Sequence, residues 1–170
     1  NPKDFKNTIG QHDRFKLYPR LVKVMVNGNN VSAGMEIDGD VVIEHAPSHT
    51  SEINLDYNQN TLRLSFSGLN YFRPQQTYYR VRVQGVGDGA WRILSYSQSD
   101  DNVDSYGLLH LMLANLRPAS YKVEVQASMF PDVWTVEPLV LTVNVNQPWW
   151  RSTGVYIILF LVVVVLVLVN

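Results

Sequence analysis

Long stretches of this chain alternate apolar and polar residues, and a period of two marks a pleated strand with one face inside and one in water. In Ser120–Ser128, Tyr121, Val123, Val125 and Ala127 fall on one face; Lys122, Glu124, Gln126 and Ser128 fall on the other. Leu62, Leu64 and Phe66 alternate with Thr61, Arg63 and Ser65, and Tyr79, Val81 and Val83 with Tyr78, Arg80 and Arg82. Leu109, Leu111 and Leu113 alternate with His110 and Met112, and Leu139, Leu141, Val143 and Val145 with Thr142, Asn144 and Asn146. Arg20–Val26, Val41–Glu44 and Glu52–Asp56 read as shorter strands. Turn signals separate them: Asn27-Gly28-Asn29-Asn30, Asp38-Gly39-Asp40, Gly85–Gly89 and Arg117-Pro118. With no helical period before residue 150, residues 20–148 predict an all-β, immunoglobulin-like antiparallel β-sandwich. Residues 1–19 carry no clear period and read as a connector or an edge extension.

The other end of the chain obeys a different rule. Gly154–Val169 contains no charge and no strongly polar group. About 16 residues at 1.5 Å each reach roughly 24 Å, short of a ~30 Å hydrocarbon layer. Trp149 and Trp150 precede this run, where an interfacial aromatic belt belongs, and Arg151 comes directly after them. In lipid the backbone must satisfy itself, so a helix is expected despite the valines. Residues 149–170 are therefore expected to be an interfacial Trp pair and a C-terminal transmembrane helix, cut short at Asn170. The polar start, Asn1-Pro2-Lys3-Asp4, lacks the parts of a signal peptide and reads as a cut within a longer protein. The chain has no cysteine, which excludes disulfides, thiolate metal sites and cysteine catalysis. A net charge of −1 gives no reason to expect a nucleic acid partner.

Each pattern that could carry chemistry meets a plainer reading. Gly85-Val86-Gly87-Asp88-Gly89 comes after a strand as a phosphate loop would, but Ala90-Trp91-Arg92-Ile93-Leu94 reads as another strand, so a hairpin turn is expected. Asp100, Asn102 and Asp104 have the spacing of the first EF-hand ligands. Ser105 and Leu111 then stand where that loop needs Gly and Glu, and a solvated acidic loop is expected. His45 and His49 have a zinc-like spacing around a proline but no third ligand nearby; His12 and His110 stand alone. Asn30-Val31-Ser32 is a lone glycosylation sequon. No serine sits in a nucleophile elbow, and no carboxylate pair is placed for acid–base work. No catalytic, cofactor-binding or metal site is therefore expected, and this segment is not read as an enzyme.

Read together, three segments resemble the three-Y (Y_Y_Y) domain of bacterial two-component regulators. Leu62–Tyr71, Pro74, Tyr78–Gly85 and Asp88-Gly89-Ala90-Trp91 are similar to its opening strands. Ala114-Asn115-Leu116-Arg117-Pro118-Ala119-Ser120-Tyr121 is similar to its turn into the strand ending near Ala127. Trp134, the strand to Val145 and Pro148-Trp149-Trp150 resemble its exit into the membrane. Leu113 stands where the family usually has Tyr, Ala119 where it has Gly, and Ser95–Gly107 is longer than the usual connection. The resemblance implies a core signature of Tyr79, Trp91, Tyr121 and Trp134, and a membrane junction of Pro148, Trp149, Trp150 and Arg151. It implies a periplasmic domain, held to the inner membrane by one helix and preceded by β-propellers to which residues 1–19 connect. Such a domain relays glycan sensing to a cytoplasmic histidine kinase, as a homodimer and without a cofactor. The rival expectation is a membrane-anchored carbohydrate-binding or adhesion sandwich, for which Tyr71, Phe72, Tyr96 and Tyr106 are the candidate aromatics.

Overall fold

The alternating stretches form the strands that their period predicts. The computed structural model describes residues 16–98, 101–134 and 137–169. In chain order the strands are β1 (Lys16–Leu17), β2 (Arg20–Val26), β3 (Asn29–Val31), β4 (Glu36–Ile37), β5 (Asp40–Val41) and β6 (Glu52–Leu55). They continue with β7 (Leu62–Ser67), β8 (Tyr78–Gln84), β9 (Arg92–Ser95), β10 (Leu108–Leu113), β11 (Ala119–Ser128) and β12 (Leu139–Val145). One sheet runs β6-β12-β11-β8-β9, with β1 on the far end of β11; the other runs β10-β7-β2-β3, and β4-β5 is a small hairpin. Pairing is antiparallel except between β12 and β6, which run side by side in the same direction.

The inward residues of the two sheets share one core. Leu21, Val24, Leu62, Leu64, Phe66 and Leu109 meet Ile53, Leu55, Tyr79, Val81, Val123, Val125, Leu141 and Val143, all nearly or fully buried. A fully buried side chain of this size stabilises by about 1.5–3 kcal/mol. Leu21 and Val24 both face inward although three residues apart, because a bulge between Leu21 and Lys23 absorbs the odd residue.

The structure corrects two expectations and narrows two others. Of Val41–Glu44, only Val41 is in a strand; Val42 and Ile43 are buried in irregular chain, their carbonyls accepting from the backbone N–H of Asn54 and Gly34. Within the stretch 1–19, Lys16 and Leu17 pair with Ser128 and Ala127 as an edge extension, and residues 1–15 lie outside the described residues. The wet face of β11 is not wet: Glu124, Gln126 and Ser128 are as buried as their apolar neighbours. Last, the apolar C-terminal run is a helix, α1 (Thr153–Val169), but its 17 residues rise only roughly 26 Å. No helix among the described residues is long and apolar enough to cross a membrane.

The register sets the two poles. β11 pairs at one end with Lys16 and Tyr78 and at the other with Val145. The described chain thus begins at one pole and leaves β12 for α1 at the opposite pole, roughly 30 Å away for a ten-residue strand.

Candidate functional site

The buried tyrosines fasten the ends of the sandwich. Tyr79 is fully buried, and its hydroxyl donates to the Gly107 carbonyl (2.5 Å) and accepts from the Gly68 N–H (2.7 Å). Burial pushes its pKa well above that of a free phenol. At the opposite pole, the Tyr121 hydroxyl donates to the Arg117 carbonyl (2.9 Å) and accepts from the Arg117 N–H (3.0 Å). The Tyr121 ring lies where any Cβ on Gly85 would stand, 2.8 Å from Cδ1, so the β8–β9 turn presses its backbone on the ring.

Trp91 and Trp134 lie elsewhere. Both are half-buried and sit over the outer face of the sheet, outside the core between the sheets. The Arg80 guanidinium stacks between them, 4.6 Å from the Trp91 ring centre and 5.0 Å from that of Trp134; Arg82 also lies 4.6 Å from Trp91. Beneath the indoles, Arg82 Nε and Nη2 each approach Glu124 Oε2 at 2.6 Å, Gln84 Nε2 adds a bond of 3.0 Å, and Arg80 donates to Gln126 Oε1. This cover explains the buried polar face of β11. Burial opposes the Glu124 charge, but the Arg82 bonds and charge, with Lys122 and Gln84, outweigh it and hold the pKa below the ordinary carboxylate value. A depressed folded pKa contributes stability that is full above about 4.5 and is lost as pH falls through the folded value. Glu124→Gln should therefore cost about 1–2 kcal/mol near neutrality, with Arg82 partly in solvent. The gap to wild type should narrow as pH falls below 4.5 and close once Glu124 is protonated in the folded state, where it is nearly isosteric with Gln. Urea midpoints across that range check this; a gap constant with pH would contradict it.

The structure also brings together groups that looked isolated in the sequence. Ser65 Oγ is 2.9 Å from His110 Nδ1, and His110 Nε2 is 3.1 Å from Asp104 Oδ2, in the order of a hydrolase triad. The surroundings do not suit catalysis. Ser65 is buried in mid-strand, paired with His110 on one side and Lys23 on the other, so the ladders occupy the backbone N–H groups that an oxyanion hole needs. Asp104 Oδ1 instead accepts from the N–H of Tyr106 and Leu108, and the array pins loop 101–107 to the sheet. Asn102 and Asp104 belong to this brace, and Asp100 lies outside the described residues. His49 Nδ1 is 3.0 Å from Ser48 Oγ, and the His45 carbonyl accepts from Thr50 Oγ1; His12 lies outside the described residues. No group of three metal-ligating side chains is found among the described residues. Gly85–Gly89 is the hairpin between β8 and β9, and Asn30 of the sequon is exposed in β3.

The most constructed feature is the junction with α1. The Asn146 N–H donates to the Leu55 carbonyl (2.8 Å), which extends the β12–β6 pairing past Val145. Pro148 is buried, and its carbonyl accepts from the Arg151 N–H (2.9 Å), closing a short 3-10 turn over Trp149–Arg151 that leads into α1. The Trp150 ring meets Tyr57 edge-on, 4.9 Å between centroids at 78°. Tyr57 lies just after β6, so the junction is held by the last strand and by a loop 93 residues earlier. Sequence reasoning missed Tyr57 because nothing local marks it. Arg151 is exposed, and the Trp149 side chain lies outside the described residues.

No family model matches the sequence, and no curated protein sequence matches it. Solved structures share the fold. The extracellular domain of BT4673 from B. thetaiotaomicron, assigned to a one-component system in one structure and to a hybrid two-component system in another, matches at TM-score 0.61 and 20% identity over 79% of this chain. That of BT3049, assigned to a hybrid two-component system of the same organism, matches at TM-score 0.57 and 19% identity over 82%. The chain spans 16% of each of those solved chains.

Proposed function

We propose that this chain is the membrane-proximal, extracytoplasmic domain of a two-component sensor, and that it passes movement of a preceding sensor region to α1 and onward to a cytoplasmic histidine kinase. The observation that carries the reading is the junction. A relay needs a stiff link, and here a strand, a buried proline and the Tyr57–Trp150 contact hold the start of α1 against the sandwich. Two further observations support it. Ile157–Val163 and Val165–Leu168 are all exposed, so nothing among the described residues covers an element that is apolar all round, and a bilayer would. Extracellular domains assigned to hybrid two-component systems share the fold. In this reading the domain is periplasmic, α1 enters the inner membrane at its Trp149-Trp150 end, propellers that sense glycan fragments precede Lys16, and two copies set the spacing of their helices.

A second reading has one observation in its favour. Tyr71 is 83%, Phe72 97% and Tyr106 79% exposed at the pole away from α1, as a carbohydrate-binding or adhesion module would display them. Tyr96, by contrast, is packed against the core. The two readings share the membrane and differ on its cytoplasmic side, where only the sensor carries a kinase. Alkaline phosphatase fused after Gln147 in the full-length protein should be active, and a fusion beyond the end of the apolar segment inactive. Activity at the second position alone would overturn the membrane orientation common to both.

A further inference from the structure

At the junction, the turn between β10 and β11 faces the first turn of α1 across a groove of about 690 Å³, lined by Arg117, Pro118, Gln147, Arg151 and Tyr156. No carboxylate lines it, and neither guanidinium has an ion pair or hydrogen bond among the described residues. Both arginines are nevertheless held by their backbones. Tyr121 brackets Arg117 through both its N–H and its carbonyl, and Arg151 closes the turn onto Pro148. Two unneutralised arginines lining one polar groove, each held at its backbone, match a phosphate group, which arginine can grip with paired hydrogen bonds. The first turn of α1 contributes no acidic residue that would compete. Tyr156 places the groove at the first turn of the apolar helix, which is the level of lipid headgroups if α1 is embedded.

We propose that this groove binds the phosphate of an anionic phospholipid headgroup, such as phosphatidylglycerol, and so fixes the depth and azimuth of the junction on the bilayer. The proposal rests on the membrane reading of α1. A zwitterionic headgroup carries its own cation beside the phosphate, which the two arginines repel, so net negative lipids are favoured.

The test uses full-length protein in phosphatidylcholine vesicles containing a minority of phosphatidylglycerol, with bromine on the acyl chains of one lipid or the other. Bromine in the bilayer quenches only tryptophans near it; of the four in this chain the Trp149-Trp150 pair lies at that level if α1 is embedded, and subtracting the quenching of W149F/W150F isolates its signal. Brominated phosphatidylcholine should quench, which reports membrane placement independently of the groove. Brominated phosphatidylglycerol should quench as though enriched about fivefold over its mole fraction, from attraction to two basic groups at the surface. In R117Q/R151Q the enrichment should fall to about onefold, with quenching by the neutral lipid retained; R63Q, an exposed arginine on the other sheet, should keep it. Neutral-lipid quenching without enrichment in the wild type overturns the groove proposal and leaves the membrane reading standing. Absence of quenching by both lipids overturns both. Enrichment that survives in R117Q/R151Q, or that inorganic phosphate abolishes at matched ionic strength, overturns the lipid assignment.

Discussion

Gly107→Ala should destabilise the sandwich by about 3–5 kcal/mol, more than most exposed-loop substitutions can. Gly107 has φ +74°, where an L residue is strained by about 1 kcal/mol. Its Cβ would also stand 2.5 Å from the Pro74 oxygen and 2.9 Å from the Pro74 carbonyl carbon. These are backbone atoms in the 3-10 turn Pro74–Gln76, so no rotamer change relieves the clash. The Gly107 carbonyl also accepts the Tyr79 hydroxyl, so displacing it breaks the bond that joins β8 to the loop before β10. Tyr79→Phe should reproduce part of the loss, about 2–4 kcal/mol, by leaving the Gly107 carbonyl and the Gly68 N–H without their buried partner. Gly34→Ala is the control: its φ is also positive, but nothing lies within 4 Å of its Cβ, and about 1 kcal/mol is expected. Urea unfolding of the chain in mild detergent measures all three. Equal costs at Gly107 and Gly34 would show that the loop yields and that the close approach to Pro74 does not hold it.

How legible each element is in the sequence depends on where its information is stored. β8, β10, β11 and β12 were legible because alternation is local and each strand has one face in the core. Val42-Ile43 misled for the same reason: two adjacent buried apolar residues have no period, and only the distant Asn54 reveals how their backbone is satisfied. Register is not local either. Glu124 opposes Arg82 and Ser65 opposes His110 only once the strands are paired, so the covered polar face and the Ser65–His110–Asp104 brace stayed hidden. Trp91 and Trp134 were visible as signature residues, but the face that they cover depends on how loops fold back over the sheet. For α1, composition showed a helix without a polar face, while its reach is a matter of residue count and falls short of a span in the described residues. Pro148, Trp149, Trp150 and Arg151 were marked as a junction, and their anchor Tyr57 was not.

The second large effect concerns that junction. If the domain relays movement, α1 can respond only through the link from Val145 to Thr153. That link has little slack: Asn146 is bonded to Leu55, Pro148 is buried, and Trp150 rests on Tyr57. About six Gly/Ser residues inserted after Gln147 behave as a flexible coil, and Trp150→Ala beside them removes the Tyr57 contact beyond the insertion, so that together they transmit little force. The insertion falls after the last core residue of β12, so folding and membrane insertion should be intact. The decisive measurement is reporter expression from the full-length sensor with and without an inducing glycan fragment, beside the affinity for that fragment, in wild type and insertion variant. The relay predicts unchanged affinity and a response reduced at least tenfold, to near the uninduced level. A full response from the insertion variant, at the same affinity, would contradict it and leave the sandwich as a spacer.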